Sequence, residues 1–191
     1  MRAFLERLAA RVPAPGGGGA AAVTGALAAG LVAMAARFSE AQLPAAADTA
    51  QQADQLRDRA AGLVDQDAAA YGAVLDAYQL PREGDGSERR ERIAAALYDA
   101  AAVPLEVAEI AARVAELAAG VAGGNPNLRG DTLAAAHLAE ASARSAAALV
   151  DINVALGRLP GDLSRRAAGL TVGTRPLRRG SWPSRGRTPP G

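Results

Sequence analysis

PAPGGGGAAAVTGALAAGLVAMAA, residues 13–36, places four consecutive glycines directly before a long run of small apolar residues. Alanine has the highest helix propensity, so the run predicts a helix from about residue 18 to residue 38. Small side chains on every face are typical of a buried helix that its neighbours approach closely. Glycines at a helix start also let backbone N–H groups reach a ligand, because no Cβ intervenes. The stretch therefore predicts a helical core with a binding site at its edge, and a flexible linker is the alternative interpretation of the glycines.

Composition favours helices and excludes several kinds of chemistry. The 191 residues suffice for one domain; 50% are hydrophobic and only 3% are aromatic. Cysteine is absent and His137 is the only histidine, which argues against disulfides, thiolate metal sites and Ser–His or Cys–His nucleophiles. We therefore expect no metal, and chemistry that rests on carboxylates, amides, hydroxyls and arginines.

The charge distribution gives expectations about partners and location. Residues 175–191 hold five arginines and no acid, but they lack the aromatic interleaving of a nucleic-acid-binding segment. Residues 20–36 approach the length of a membrane span, yet alanine and glycine partition weakly into lipid. Glu6 interrupts the basic residues that a signal peptide would need. We expect a cytoplasmic protein with neither a nucleic-acid nor a membrane partner.

Apolar periodicity predicts an all-α fold, an up-and-down bundle of about five long helices with a disordered C-terminal tail. Pro104 falls inside the fourth helix and predicts a kink or break there. The predicted domain covers residues 1–163, and an Arg/Gly/Pro-rich, largely disordered tail covers 164–191. The predicted helices cover residues 2–12, 18–38, 44–79, 87–119 and 131–159, with a loop over 120–130.

Asp67 is the carboxylate that the pattern singles out. Leu63 and Tyr71 lie four residues to either side of it, which places Asp67 within the apolar stripe of its helix, whereas Asp65 should face solvent. A buried carboxylate has a raised pKa, which suits proton transfer near neutral pH. The structural alternative is an ion pair with an arginine of a neighbouring helix.

Other polar residues also have structural interpretations. Asn125 lies in the predicted loop, where asparagines commonly form turns. Asp131 begins a helix, where a carboxylate commonly acts as a cap or dipole partner. Asn153 flanks the apolar stripe of the last long helix, so its amide is expected to have a hydrogen-bond partner.

Taken in order, these pieces resemble the cyclodeaminase/cyclohydrolase family, which includes the C-terminal domain of formiminotransferase-cyclodeaminase and methenyltetrahydrofolate cyclohydrolases. The resemblance is collinear over about residues 3–160. Its motifs are Pro13-x-Pro15-Gly16-Gly17-Gly18 with Met34, Val64-Asp65-x-Asp67-Ala68-x-Ala70-Tyr71, Ala77-x-x-Leu80-Pro81, Ala100-x-x-Val103-Pro104-Leu105, Gly124-Asn125 with Asp131, and Ile152-Asn153.

The resemblance implies a homodimeric, all-helical enzyme of one-carbon metabolism that acts on a tetrahydrofolate adduct without a metal. Either formiminotetrahydrofolate cyclodeaminase or methenyltetrahydrofolate cyclohydrolase activity is implied, with tetrahydrofolate as the substrate carrier. Asp67 matches the acidic position that the family has on its long helix, and we assign proton transfer to this residue. The implied substrate-binding residues are Gly16, Gly17, Gly18, Arg82, Asn125, Asp131 and Asn153.

Several positions depart from the family pattern. Gly19 and Gly130 stand where the family commonly has serine, Leu149 replaces an asparagine, Ala94 replaces a glutamine, and Arg82 replaces a lysine. These changes leave open a second hypothesis, a catalytically degenerate helical homodimer that acts as a binding or interaction module. A third is an interaction module that uses the Ala/Gly helix as its docking face.

Overall fold

Six α-helices form the fold in the computed structural model, which describes residues 1–81 and 86–173. These residues contain no β-strand, and the predicted all-α bundle of long helices is confirmed. The helices are α1 (Arg2–Leu8), α2 (Gly17–Arg37), α3 (Ala46–Gln79), α4 (Ser87–Val121), α5 (Arg129–Gly157) and α6 (Asp162–Gly173), with a 3-10 turn over Pro126–Leu128 before α5.

Helix α2 is the centre of the bundle and packs against α3, α4 and α5. Its alanines are buried on several faces, and Gly25 approaches α5 so closely that an added Cβ would lie 3.0 Å from Ser142 Oγ. Gly25 and Ala29 are both buried inside the domain. The bundle itself therefore covers the two small residues, Gly25 and Ala29, that a docking face on this helix would use.

By length and composition α2 could also cross a membrane, and 56% of that stretch is buried inside the bundle. The core helix of a folded domain gives this combination when apolar residues are turned towards neighbouring helices.

Of the predicted kink or break at Pro104, the break is absent, because helix α4 continues through this residue as one element. Pro104 is itself fully buried, and the helix continues although proline has no backbone N–H to donate. Because proline has no N–H, the carbonyl of Ala100, four residues earlier, lacks its usual helical donor.

Helix α6 occupies the first ten residues of the predicted disordered tail. Leu163 and Ala167 are buried in a cluster with residues of α4 and α5, so this segment has enough apolar surface to be ordered. The predicted boundary at residue 163 is therefore too early, and the chain is helical to residue 173. The remainder of the predicted tail lies outside the described residues.

Candidate active site

A cavity of about 330 Å³ lies where the start of α2 meets α3, α4 and α5. Its polar groups include the backbone of Gly16–Gly18 and the side chains of Asp67 and Asn153, which the structure thus brings together. Its walls are largely apolar. They include Tyr71, Pro104, Leu149, Ile152 and Leu156. An apolar cleft with a few convergent polar groups is typical of a small-molecule site.

The glycine run forms the start of α2 and not a linker. Gly16 is the N-cap residue, and no side chain of its own caps the helix. The first N–H groups of a helix have no intrahelical acceptor, and those of Gly17 and Gly18 have no partner among the described residues. Both residues line the cavity, which therefore has two backbone donors and the positive end of a helix dipole at one side.

Asp67 reaches this helix start from α3. Its Oδ2 accepts a hydrogen bond of 3.0 Å from the N–H of Gly19, 48 residues away in sequence. A Cβ built on Gly18 would overlap the carboxylate of Asp67. Glycine is therefore required at position 18 for Asp67 to occupy this place.

The environment of Asp67 raises its pKa above the ordinary value of an aspartic acid. Burial is the main cause, because it disfavours the charged carboxylate, and the hydrogen bond from Gly19 lowers the pKa in part. Asp67 forms no ion pair within the described part of the chain, so the structure does not contain the alternative arginine partner. Asp65 is exposed, as its position on the helix predicts.

Asn153 donates a hydrogen bond of 2.7 Å from Nδ2 to the carbonyl oxygen of Ala100 on α4. This confirms that its half-buried amide has a partner, and the partner is backbone. The side chain also lines the cavity, so it is both a link between α5 and α4 and part of the candidate site.

Asn125 lies at the other end of the bundle. Its Oδ1 accepts from the N–H of Asn127 at 3.0 Å, and its Nδ2 donates to the carbonyl of Phe38 at 3.1 Å. Its backbone N–H donates to Ser39 Oγ at 2.9 Å. Asn125 therefore shapes the turn before α5, as the structural alternative predicts.

Asp131 stands in the first turn of α5 and does not line the cavity. A helix rises about 1.5 Å per residue, so Asp131 and Asn153 are separated by about 33 Å along α5. Within one chain the predicted grouping of Asn125 and Asp131 with Asp67 is therefore not formed. Arg82 lies outside the described residues.

The departures from the family pattern differ in their relation to the cavity. A Cβ on Gly19 would lie 3.4–3.8 Å from Pro15, Val64 and Phe4, so the Cβ of a serine at this position would contact apolar side chains. Gly19 does not line the cavity, whereas Leu149 does and contacts the Gly17 position. Leu149 is therefore the replacement that changes the cavity wall directly.

Sequence reasoning missed Ala100 and Pro104 as parts of the site, as well as the exposed apolar rim of Ile152 and Leu156. One signal was present, because a proline inside a helix always leaves one carbonyl without its usual donor. Across residues 1–81 and 86–173 no group of three or more His, Asp or Glu side chains could hold a metal ion.

Comparison with known proteins shows the family. The family model described as formiminotransferase-cyclodeaminase matches residues 1–158. The chain is 37% identical over 159 residues to a methenyltetrahydrofolate cyclohydrolase of Methylorubrum extorquens, a match that covers 78% of this chain and 76% of that protein. It is 34% identical over 127 residues to the formimidoyltransferase-cyclodeaminase of Mus musculus, covering 57% of this chain and only 22% of that protein.

The fold has a counterpart among solved structures. The formiminotetrahydrofolate cyclodeaminase of Thermotoga maritima matches with a TM-score of 0.75 and 26% identity, over 91% of this chain and 92% of that one. The family model covers residues 1–158, and the match to the cyclohydrolase covers more than two thirds of both chains. The chain therefore belongs to the formiminotransferase-cyclodeaminase family.

Proposed function

We propose that this protein is an enzyme of folate one-carbon metabolism that hydrolyses 5,10-methenyltetrahydrofolate to 10-formyltetrahydrofolate, with Asp67 transferring the proton. The observation that supports this most is the half-buried carboxylate of Asp67, with its raised pKa. It lies in a largely apolar cavity beside the N–H groups of Gly17 and Gly18, which have no partner among the described residues. The cyclohydrolase relative, 76% of which is covered by the match, supports the reaction class.

The proposed hydrolysis needs a base and then an acid. Water attacks the methenyl carbon between N5 and N10, and the Asp67 carboxylate accepts a proton from it. The bond from this carbon to N5 then breaks, protonated Asp67 gives its proton to N5, and the hydroxyl on the same carbon releases its proton to solvent as it becomes the formyl C=O. The N–H groups of Gly17 and Gly18 would donate to the oxygen that acquires negative charge.

The same groups serve a second candidate function, favoured by the likeness to the Thermotoga cyclodeaminase. In that reaction N10 of 5-formiminotetrahydrofolate attacks the formimino carbon, and the proton that N10 loses passes to the formimino nitrogen, which becomes an amino group. Asp67 in its acid form protonates the leaving nitrogen, which departs as ammonia. Both reactions pass through a tetrahedral carbon between two nitrogens, so one carboxyl group is sufficient for either.

The test compares Asp67→Asn with Asp65→Asn. Asparagine at position 67 keeps an acceptor for the Gly19 N–H but cannot carry the proton, so we expect turnover to fall about 10²–10⁴-fold. Asp65 is exposed on the same helix, and its variant should retain wild-type turnover. Loss of methenyltetrahydrofolate is followed spectrophotometrically beside its formation from the formimino compound.

Full turnover in Asp67→Asn would disprove the proton-transfer assignment. The pair of assays also separates the two reactions, since only hydrolysis consumes added methenyltetrahydrofolate and only ring closure forms it. No turnover of either substrate by the wild type, together with no folate binding, favours the degenerate homodimer instead.

A further inference from the structure

Pro104 leaves a backbone acceptor without its helical donor. In α4 the carbonyl of Ala100 would normally accept from the N–H of residue 104, and proline has none. Ala100 is only 7% exposed, so water has little access to replace that donor. A buried carbonyl that lacks a partner is unfavourable, which makes a side-chain donor valuable at this point.

Asn153 supplies that donor from α5, through Nδ2 at 2.7 Å. A carbonyl oxygen can only accept, so the NH₂ end of the amide must face Ala100 and the oxygen end must point away from it. Asn153 Oδ1 has no hydrogen-bond partner in the described part of the chain, and its side chain lines the cavity. The orientation of the amide is thus set by the missing N–H of Pro104.

We infer that Pro104 is a positioning residue, which orients Asn153 so that its Oδ1 accepts a hydrogen bond from an N–H edge of the bound ligand. The inference rests on the proposed function, because the pterin ring of a folate carries an amide N–H next to an amino group, and together they form such an edge. The cavity then has donors at Gly17 and Gly18 and fixed acceptors at Asp67 and Asn153. A ring that carries both kinds of group is bound in one orientation.

Pro104→Ala tests this directly, because alanine restores an N–H in register with the Ala100 carbonyl. The Asn153 amide then loses its fixed partner and can rotate. We expect the Kd for folinic acid, measured by isothermal titration calorimetry, to rise about fivefold, the equivalent of one ordinary hydrogen bond. Pro44→Ala, an exposed proline outside the cavity, is the matched control and should leave the Kd unchanged.

The ring of Pro104 also touches the cavity, so its direct contribution must be separated. We therefore add Asn153→Ala, alone and combined with Pro104→Ala. If Pro104 acts through Asn153, then Pro104→Ala has no further effect once Asn153 is alanine. A direct contact between the proline ring and the ligand would instead give the same fivefold loss in both backgrounds, which would overturn the inference.

A third comparison needs no ligand. Asn153→Asp places a carboxylate opposite the Ala100 carbonyl, two acceptors facing each other, and we expect a lower midpoint of urea unfolding. Adding Pro104→Ala should restore the midpoint, because the new N–H satisfies Ala100 and frees the carboxylate to turn away. Absence of this rescue overturns the orienting role. Rescue without folinic acid binding by the wild type would instead show that the proposed function fails.

Discussion

Asp67 and Gly18 form the contact on which the candidate site depends. The carboxylate lies where any Cβ at position 18 would lie, and it accepts a hydrogen bond from the next residue in the helix start. A helix N-terminus stabilises a carboxylate, while burial away from water destabilises its charge, and burial has the larger effect on this pKa. The result is a carboxyl group that links α2 to α3 and has the raised pKa that the proposed proton transfer requires.

Gly18→Ala should displace Asp67 without unfolding the protein. The methyl group cannot coexist with the carboxylate in its present position, so we expect the carboxylate to shift by about 1 Å and kcat/KM to fall about 100-fold. Gly30→Ala on the same helix is the matched control, because a Cβ there has no atom within 4 Å. Steady-state kinetics on both variants checks the prediction, and equal rates would show that the position of Asp67 is unimportant.

The raised pKa of Asp67 predicts how stability depends on pH. Above its folded-state pKa the buried charge destabilises the native state, and this penalty disappears as pH falls through that pKa towards the unfolded value. Asp67→Asn carries no charge, so its stability relative to wild type should be greatest at neutral pH and shrink in acid. Urea unfolding of both proteins between pH 3 and pH 8 measures this; a difference that grew on acidification would contradict the sign.

At the scale of elements, small residues let α2 and α5 cross closely. Ser142 Oγ donates to the carbonyl of Ala21 at 2.8 Å, and Gly25 lies against the same hydroxyl. At the far end Ser39 Oγ accepts from the N–H of Asn125, and a Cβ on Gly124 would overlap Ser39. These contacts fix α2 at both ends of the bundle, and with it the position of its N-terminal donors in the cavity.

Helix α6 should contribute measurably to stability because Leu163 is 3% exposed in its cluster with α4 and α5. We expect Leu163→Ala to lower the free energy of unfolding by about 2–5 kcal/mol. Leu5→Ala on α1, where the side chain is 54% exposed, is the control and should change it by less than about 0.5 kcal/mol. Equal effects in urea titrations would mean that α6 does not stabilise the bundle.

At the scale of the whole molecule, most of the helices could be predicted from the sequence, as could the part of the candidate site that the glycine run and Asp67 form. The run of small residues and the place of Asp67 within an apolar stripe follow from helical periodicity, which is a local property. Whether Asn125 lies near Asp67 depends instead on which end of the bundle the turn before α5 occupies. A sequence motif does not contain that information. The missing N–H of Pro104 was visible in the sequence. The donor to the Ala100 carbonyl is Asn153, 53 residues after Ala100, and the two become neighbours only because α4 packs against α5.

Ligand binding should stabilise the whole molecule if the cavity accepts a folate. At a free concentration of folinic acid about 100 times its Kd, stability should rise by about 2.7 kcal/mol, which is about 5–10 °C in Tm for a domain of this size. Gly18→Ala should show a smaller shift because the carboxylate of Asp67 is displaced, whereas Gly30→Ala should match the wild type.

Light scattering on the same samples tests the homodimer that the family resemblance implies. A wild-type dimer with no shift at millimolar folinic acid would exclude the folate enzyme and leave the degenerate homodimer, because the fold and the assembly would then persist without the pocket's ligand.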